Sequence, residues 1–83
     1  MTKTIFGGDH QHLVELLIET RKARGLTQTE LADRLGRDQT FISLIERRQR
    51  RVDVLEFIAF AEALGEPPGK LFTRLLRRMD SDS

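Results

Sequence analysis

The chain has 83 residues, a formal net charge of +1 and no cysteine. Its length fits one small domain, and the missing thiols exclude disulfide bonds and thiolate metal sites. No apolar run approaches the ~20 residues that a membrane-spanning helix needs, and the N-terminal residues lack the apolar core of a signal peptide. We therefore expect a cytoplasmic protein with no membrane partner.

Positive charge is concentrated in the middle of the chain. Residues 21–51 contain nine Lys or Arg and four Asp or Glu, a net charge of +5, whereas residues 1–20 and 52–83 each carry −2. A cationic face on an otherwise balanced body suits a polyanionic partner such as nucleic acid. Charge alone does not separate such a face from an ordinary solvated surface.

The N-terminal segment predicts an arm followed by a helix. Residues 1–8 end in a pair of glycines and are expected to form a flexible arm. Asp9 can cap a first helix from about His10 to Arg24, in which apolar residues recur at spacings of three and four. Gly25 follows, as glycine often does just past a helix end.

Two short helices joined by a tight turn come next. The segment Thr27–Glu30 has the capping-box pattern and begins a second helix, about Gln28–Leu35. Gly36 ends that helix, and Asp38 can cap a third helix from about Gln39 to Arg47 or Arg48. Two helices joined by a short glycine-containing turn are typical of a helix-turn-helix.

Two further helices complete the predicted bundle. Asp53 can cap a fourth helix, about Val54 to Leu64, and the Pro67-Pro68 pair fits only the entry to a fifth, about Pro68 to Arg78. We therefore expect an all-α bundle of five helices over residues 9–79, with a disordered tail over residues 80–83. The residues assigned to the inner side of the fourth helix are Val54, Leu55, Ile58, Ala61 and Leu64.

The middle of the chain resembles a known family. The segments LTQTELADRLG (26–36) and RDQTFISLIER (37–47), followed by an ALG helix end (63–65), are similar to the helix-turn-helix domain of phage repressors of the lambda-repressor and Cro type, the xenobiotic-response-element family. The resemblance covers residues 17–64. It implies binding to double-stranded DNA as a homodimer.

The chain departs from this family at the end of the third helix. A glycine commonly follows the IER segment in the family, and this chain has Arg48 there. Either the third helix runs longer, or Arg48 adopts a turn conformation that is costly for a residue with a side chain.

The third helix is the predicted recognition helix. Its apolar stripe is Ile42 and Ile45, and a helical wheel turns Thr40, Ser43 and Leu44 away from that stripe. The resemblance implies that Gln39, at the start of this helix, reads a base, and bidentate hydrogen bonding of a glutamine amide suits adenine. The residues expected to read bases are Gln39, Thr40, Ser43 and Leu44.

Other roles are assigned around this helix. The resemblance implies that Arg21 and Glu46 form a buried ion pair, and that Gln28 holds a phosphate and braces Gln39. The arginine-rich segment 47–51 is expected to bind the DNA backbone. The full set expected to bind phosphate is Gln28, Arg37, Arg47, Arg48, Arg50 and Arg51.

Large apolar residues in the C-terminal half point to a dimer seam. Phe57 and Phe60 lie three residues apart, and one of them exceeds what a monomer core of this size should hide. The sequence leaves two interpretations of Phe41, which could pack in the core or contact DNA. The residues assigned to the dimer interface are Phe57, Phe60, Leu71, Phe72, Leu75 and Leu76.

These features predict a sequence-specific transcriptional regulator, a repressor, acting as a homodimer on an inverted-repeat operator. No nucleophile–base pair or phosphate-binding glycine loop is present, so neither an enzyme nor a cofactor is expected. Asp9, His10 and His12 are interpreted as exposed helix-start residues rather than metal ligands. The alternative is an antitoxin, or another interaction module, that uses the same fold to bind a protein partner such as a toxin.

Overall fold

Five α-helices run through residues 8–81, the part of the chain that the computed structural model describes. The all-α class and the five-helix bundle are thus confirmed, and no β-strand occurs within these residues. Nearly all of the predicted N-terminal arm lies outside them. The helices are α1 (Asp9–Ala23), α2 (Gln28–Leu35), α3 (Gln39–Glu46), α4 (Val54–Ala63) and α5 (Pro68–Ser81).

Capping boxes begin α2 and α4. The Thr27 hydroxyl accepts a hydrogen bond from the backbone N–H of Glu30, whose carboxylate accepts one from the N–H of Thr27. Asp53 and Glu56 make the same reciprocal pair at the start of α4. Each box satisfies amides that have no partner inside the helix, so these two starts lie where the sequence predicts them.

The ends of α3 and α5 differ from the sequence-based expectation. Helix α3 stops at Glu46, because Arg48 turns back with a φ of 62° instead of continuing the helix. Helix α5 continues to Ser81, so Asp80 and Ser81 are helical and do not belong to a disordered tail. The extension follows from Met79, which packs against the core and holds the last turn in place.

The core draws apolar side chains from all five helices, and α3 is anchored at its centre. Phe41 is 8% exposed, and its ring centroid lies 6.1 Å from that of Phe60. Phe41 therefore packs inside the bundle. Side chains that are almost fully buried include Leu17, Leu31, Ile42, Ile45, Phe60, Leu64 and Leu71.

The orientation of α4 corrects the predicted inner side. Val54, Leu55 and Ile58 are 74%, 77% and 37% exposed, while Phe57 and Phe60 are buried. Both sides of this helix are apolar, so spacing alone could not decide which side the bundle covers. The two aromatic residues fill the core because they bring the larger side chains.

The same burial corrects most of the predicted dimer interface. Phe60 and Leu71 are 2% and 0% exposed within a single chain, so they belong to the core of the monomer. Phe57 and Leu75 are each 8% exposed and also pack in this core. Of the predicted set, only Phe72 and Leu76 remain on the surface, at 50% and 44% exposure.

Candidate nucleic-acid interface

Helix α3 turns one side to the core and the other to solvent. Ile42 and Ile45 are completely buried, whereas Gln39 and Thr40 are exposed. Asp38 caps the helix by accepting a hydrogen bond from the backbone N–H of Thr40. The remaining predicted base-reading residues, Ser43 and Leu44, are half-buried. The four predicted readers therefore lie on the part of α3 that the core does not cover.

An ion pair fixes α3 to α1. Arg21 Nε donates to Glu46 Oε2 at 2.7 Å, and Arg21 Nη2 donates to Glu46 Oε1 at 3.0 Å. The two side chains are each 10% exposed. Arg21 Nη1 also donates to the carbonyl of Leu26 at 2.7 Å, in the connection to α2. The predicted pair is therefore present, and it joins α1, this connection and the C-terminal end of α3.

Gln28 extends this network to the first residue of α3. Its Nε2 donates to Glu46 Oε1 at 2.8 Å, and its Oε1 accepts from Gln39 Nε2 at 2.6 Å. An ionised carboxylate can only accept, so Glu46 fixes which end of the Gln28 amide faces it. Gln28 must then offer its oxygen to Gln39.

The orientation of the Gln39 amide follows from this network. One of its N–H groups is used by Gln28, which leaves Gln39 one N–H and its Oε1 without a partner among residues 8–81. One donor beside one acceptor is the pattern that pairs with N7 and N6 of adenine in the major groove.

Four predicted phosphate-binding arginines are exposed around the ends of α3. They are Arg37 before the helix and Arg47, Arg48 and Arg51 after it. Within the described part of the chain, Arg47 and Arg48 have no carboxylate partner. Exposed arginines therefore flank α3, the predicted recognition helix, at both of its ends.

Arg50 has a carboxylate partner that the sequence analysis did not predict. Its guanidinium donates to both carboxylate oxygens of Glu56 at 2.9 Å and to the carbonyl of Arg51 at 2.8 Å. The pKa of Glu56 is lowered, chiefly by these hydrogen bonds from Arg50 and then by the backbone N–H of Asp53. Arg50 ties the α3–α4 connection to α4, so its charge is already matched by a carboxylate inside the chain.

Sequence reasoning missed a cation–π stack beside this pair. The guanidinium carbon of Arg37 lies 3.8 Å from the centroid of the Phe41 ring, and that of Arg50 lies 4.7 Å from it. Stacking on an aromatic ring limits the rotamers of Arg37 just before α3. The available signal was the spacing of four residues between Arg37 and Phe41.

The positive charge also affects the start of α1. Burial lowers the pKa of His10, and the charges of Arg51 and Arg48 lower it further. The arginine-rich connection after α3 therefore lies close to the N-terminal end of α1, and its field disfavours the protonated imidazole.

An apolar patch covers the exposed side of α4 and α5. Phe72 sits edge-on against Phe57, with ring centroids 6.0 Å apart, and remains half exposed. Val54, Ile58 and Phe72 line one shallow groove between the two helices. With the exposed Leu55 and Leu76 of the same helices, they form what we call the α4–α5 patch.

Helices α2 and α3, joined by a short turn, form a helix-turn-helix, and hydrogen bonds from Arg21 and Gln28 hold α3 in place. This arrangement defines a helix-turn-helix DNA-binding domain. Residues 17–71 match the family described as helix-turn-helix, and the chain belongs to this family. The resemblance predicted from the sequence is thus confirmed. The chain is a DNA-binding transcription regulator, and members of this class are not enzymes.

Three relatives show where the chain lies within this class. It is 36% identical over 62 residues to the control protein C.SmaI of Serratia marcescens, covering 75% of this chain and 74% of that protein. An XRE-family like protein from Pseudomonas syringae pv. tomato str. DC3000 is 46% identical, with a TM-score of 0.79 over 84% of this chain and 85% of that one. The restriction-modification controller protein C.AhdI from Aeromonas hydrophila is 34% identical, with a TM-score of 0.71 over 78% and 98%.

No helix within residues 8–81 is both long and apolar enough to cross a bilayer.

Proposed function

We propose that this protein is a homodimeric, sequence-specific repressor that places α3 in the major groove of an inverted-repeat operator. The observation that carries the proposal is the continuous network from Arg21 through Glu46 and Gln28 to Gln39. It holds a base-reading amide in a fixed orientation at the exposed start of a short helix. Such preorganisation limits the conformational freedom that is lost on binding.

Phosphate contacts would come from both sides of α3. Arg37 stacks on Phe41 before the helix, and Arg47 and Arg51 follow its end. One N–H of Gln28 is not used by Glu46 and can serve a phosphate, as the sequence predicts. Contacts of this kind supply affinity and position, while the amide of Gln39 supplies the choice of sequence.

The α4–α5 patch is the proposed dimer interface. Five large apolar side chains on two adjacent helices are exposed by 37% to 77%. A contiguous apolar surface of this kind is unusual on a monomer. A second copy of the chain is the proposed occupant, because a two-fold axis through the patch would supply the pair of recognition helices that an inverted repeat needs.

The relatives favour one biological role. Two of them carry the description of a control or controller protein, at 36% and 34% identity. We therefore propose that the operator belongs to a restriction–modification locus and that the protein acts in the cytoplasm, where such DNA lies. No specific contact favours a toxin as the partner.

Electrophoretic mobility of labelled genomic fragments at two salt concentrations tests this function. The parent chain should give discrete complexes that weaken at the higher salt concentration, because phosphate contacts release counterions. Phe72→Glu should be monomeric in sedimentation and should lose those complexes, while Lys70→Glu on the same helix should remain dimeric. A parent chain that shifts no fragment, or a Phe72→Glu variant that stays dimeric, would contradict the proposal.

A further inference from the structure

Arg48 occupies a backbone conformation that suits glycine. Its φ is 62°, and it is the one non-glycine residue with a positive φ among residues 8–81. The conformation is required by the end of α3, where the N–H of Arg48 donates to the Ile45 carbonyl and that of Gln49 donates to the Leu44 carbonyl. A Cβ atom crowds the backbone in this region, so a residue with a side chain is disfavoured there.

The same chain ends its other helices differently. Gly25 after α1, Gly36 after α2 and Gly65 after α4 have φ values of 71°, 66° and 75°. Each of these turns is closed without a side chain. Among these four helix ends, only the end of α3 places a residue with a side chain in the left-handed conformation. The other three turns use glycine, so the turn geometry does not require an arginine.

The Arg48 side chain gains little from the rest of the chain. It is exposed and has no carboxylate partner within residues 8–81. A titratable neighbour on α1 is His10, whose protonated form the charge of Arg48 opposes, after the larger effects of burial and Arg51. No ion pair of the Arg48 guanidinium within residues 8–81 therefore offsets the strain.

We propose that Arg48 is a DNA phosphate ligand at which the chain gives up folding stability for DNA affinity. This inference rests on the proposed DNA binding and goes beyond it. It states that Arg48 lowers the stability of the fold and raises the affinity for DNA. Phosphate contacts carry no sequence information, so Arg48 strengthens binding to every duplex equally.

Three variants at this position separate strain from charge. Arg48→Gly removes both, Arg48→Ala removes the charge and keeps the strain, and Arg48→Lys keeps both. Thermal unfolding and the fluorescence anisotropy of a labelled mixed-sequence duplex, measured across a salt series, are the two readouts. Arg77→Ala, which removes an exposed charge from α5, is the matched control.

The proposal predicts opposite changes in the two readouts for the glycine variant. Arg48→Gly should raise Tm by about 4 °C or more, since relief of left-handed strain is of that order for a domain of this size. Arg48→Gly and Arg48→Ala should both weaken binding and lower the slope of log K against log salt by about 0.9 for each phosphate that the variant no longer neutralises. Arg48→Lys and Arg77→Ala should keep the parent slope.

Each contrary result overturns a stated part of the inference. A glycine variant that is more stable but binds with the parent affinity and slope excludes the phosphate contact. A glycine variant that is less stable excludes the strain. If the parent chain itself fails to bind the duplex, both the proposed function and this inference are wrong. If only the Arg48 variants behave otherwise than expected, this inference alone is wrong.

Discussion

At the scale of single residues, Glu46 joins α1, α2 and α3 through its hydrogen bonds with Arg21 and Gln28. It accepts from Arg21 and from Gln28, and Gln28 in turn orients Gln39. The carboxylate is therefore structural, and through Gln28 it decides which atoms of the Gln39 amide, the proposed base reader, remain available. A nearly buried ion pair of this kind fixes one arrangement of its neighbours, while adding little net stability over an apolar replacement.

Removal of one member of this pair should be severe. Glu46→Ala leaves the guanidinium of Arg21 buried without its partner and should lower the free energy of unfolding by about 3–5 kcal/mol in urea titration. Glu19→Ala is the matched control, because Glu19 pairs with Arg78 while its own side chain is 62% exposed. That exposed pair should contribute no more than about 1 kcal/mol. Equal losses for the two variants would contradict the structural role of Glu46.

The role of a residue was predictable from the sequence where the residue matched the motif of the helix-turn-helix family. Roles outside that motif were not predictable. Arg21 and Glu46 were paired correctly through the resemblance. The pairing of Arg50 with Glu56 was not predicted, because the two residues lie on either side of a turn whose shape the sequence does not give. Arginine-rich segments predict a cationic surface, but they do not show which member is neutralised by a local carboxylate.

At the scale of elements, local chemistry made most helix bounds predictable. The capping boxes at Thr27 and Asp53 placed two helix starts, and these residues satisfy backbone groups without help from tertiary structure. The side on which α4 packs was not predictable, since Val54 and Ile58 are as apolar as the residues that it buries. The choice depends on the volume available between α2 and α5, which only the assembled bundle defines.

The capping box of α4 should make stability depend on pH. Hydrogen bonds from Arg50 and Asp53 lower the pKa of Glu56 in the folded state. The charged carboxylate therefore stabilises the fold above its unfolded pKa of about 4.3, and this contribution is lost as the pH falls through the lower folded value. The Tm difference between the parent and Glu56→Gln should be largest above about pH 5 and should shrink below about pH 4.

Thermal unfolding between pH 7 and pH 3 would check this dependence. Glu62→Gln controls for the loss of one carboxylate from α4. A Tm difference between the parent and Glu56→Gln that stays constant over the whole range would show that the Arg50 contact does not shift the pKa of Glu56.

At the scale of the whole molecule, the bundle separates two surfaces. Helices α1 to α3 carry the network from Arg21 to Gln39, and exposed arginines flank α3. Helices α4 and α5 carry the apolar patch. The fold class was readable from helical periodicity throughout the chain. The position of the exposed apolar patch was not, because the sequence shows that apolar residues are in excess but does not show which of them the monomer buries.

Selection of binding sites from random-sequence duplexes tests most directly whether α3 reads DNA through Gln39. The parent chain should enrich an inverted repeat whose half-sites are centred about one helical turn, ~34 Å, apart. Gln39→Ala should enrich the same repeat with one base pair per half-site relaxed, because about 1–3 kcal/mol of discrimination is lost there. An enriched site that is identical for the parent and for Gln39→Ala, or no enriched site for the parent, would contradict this role of α3.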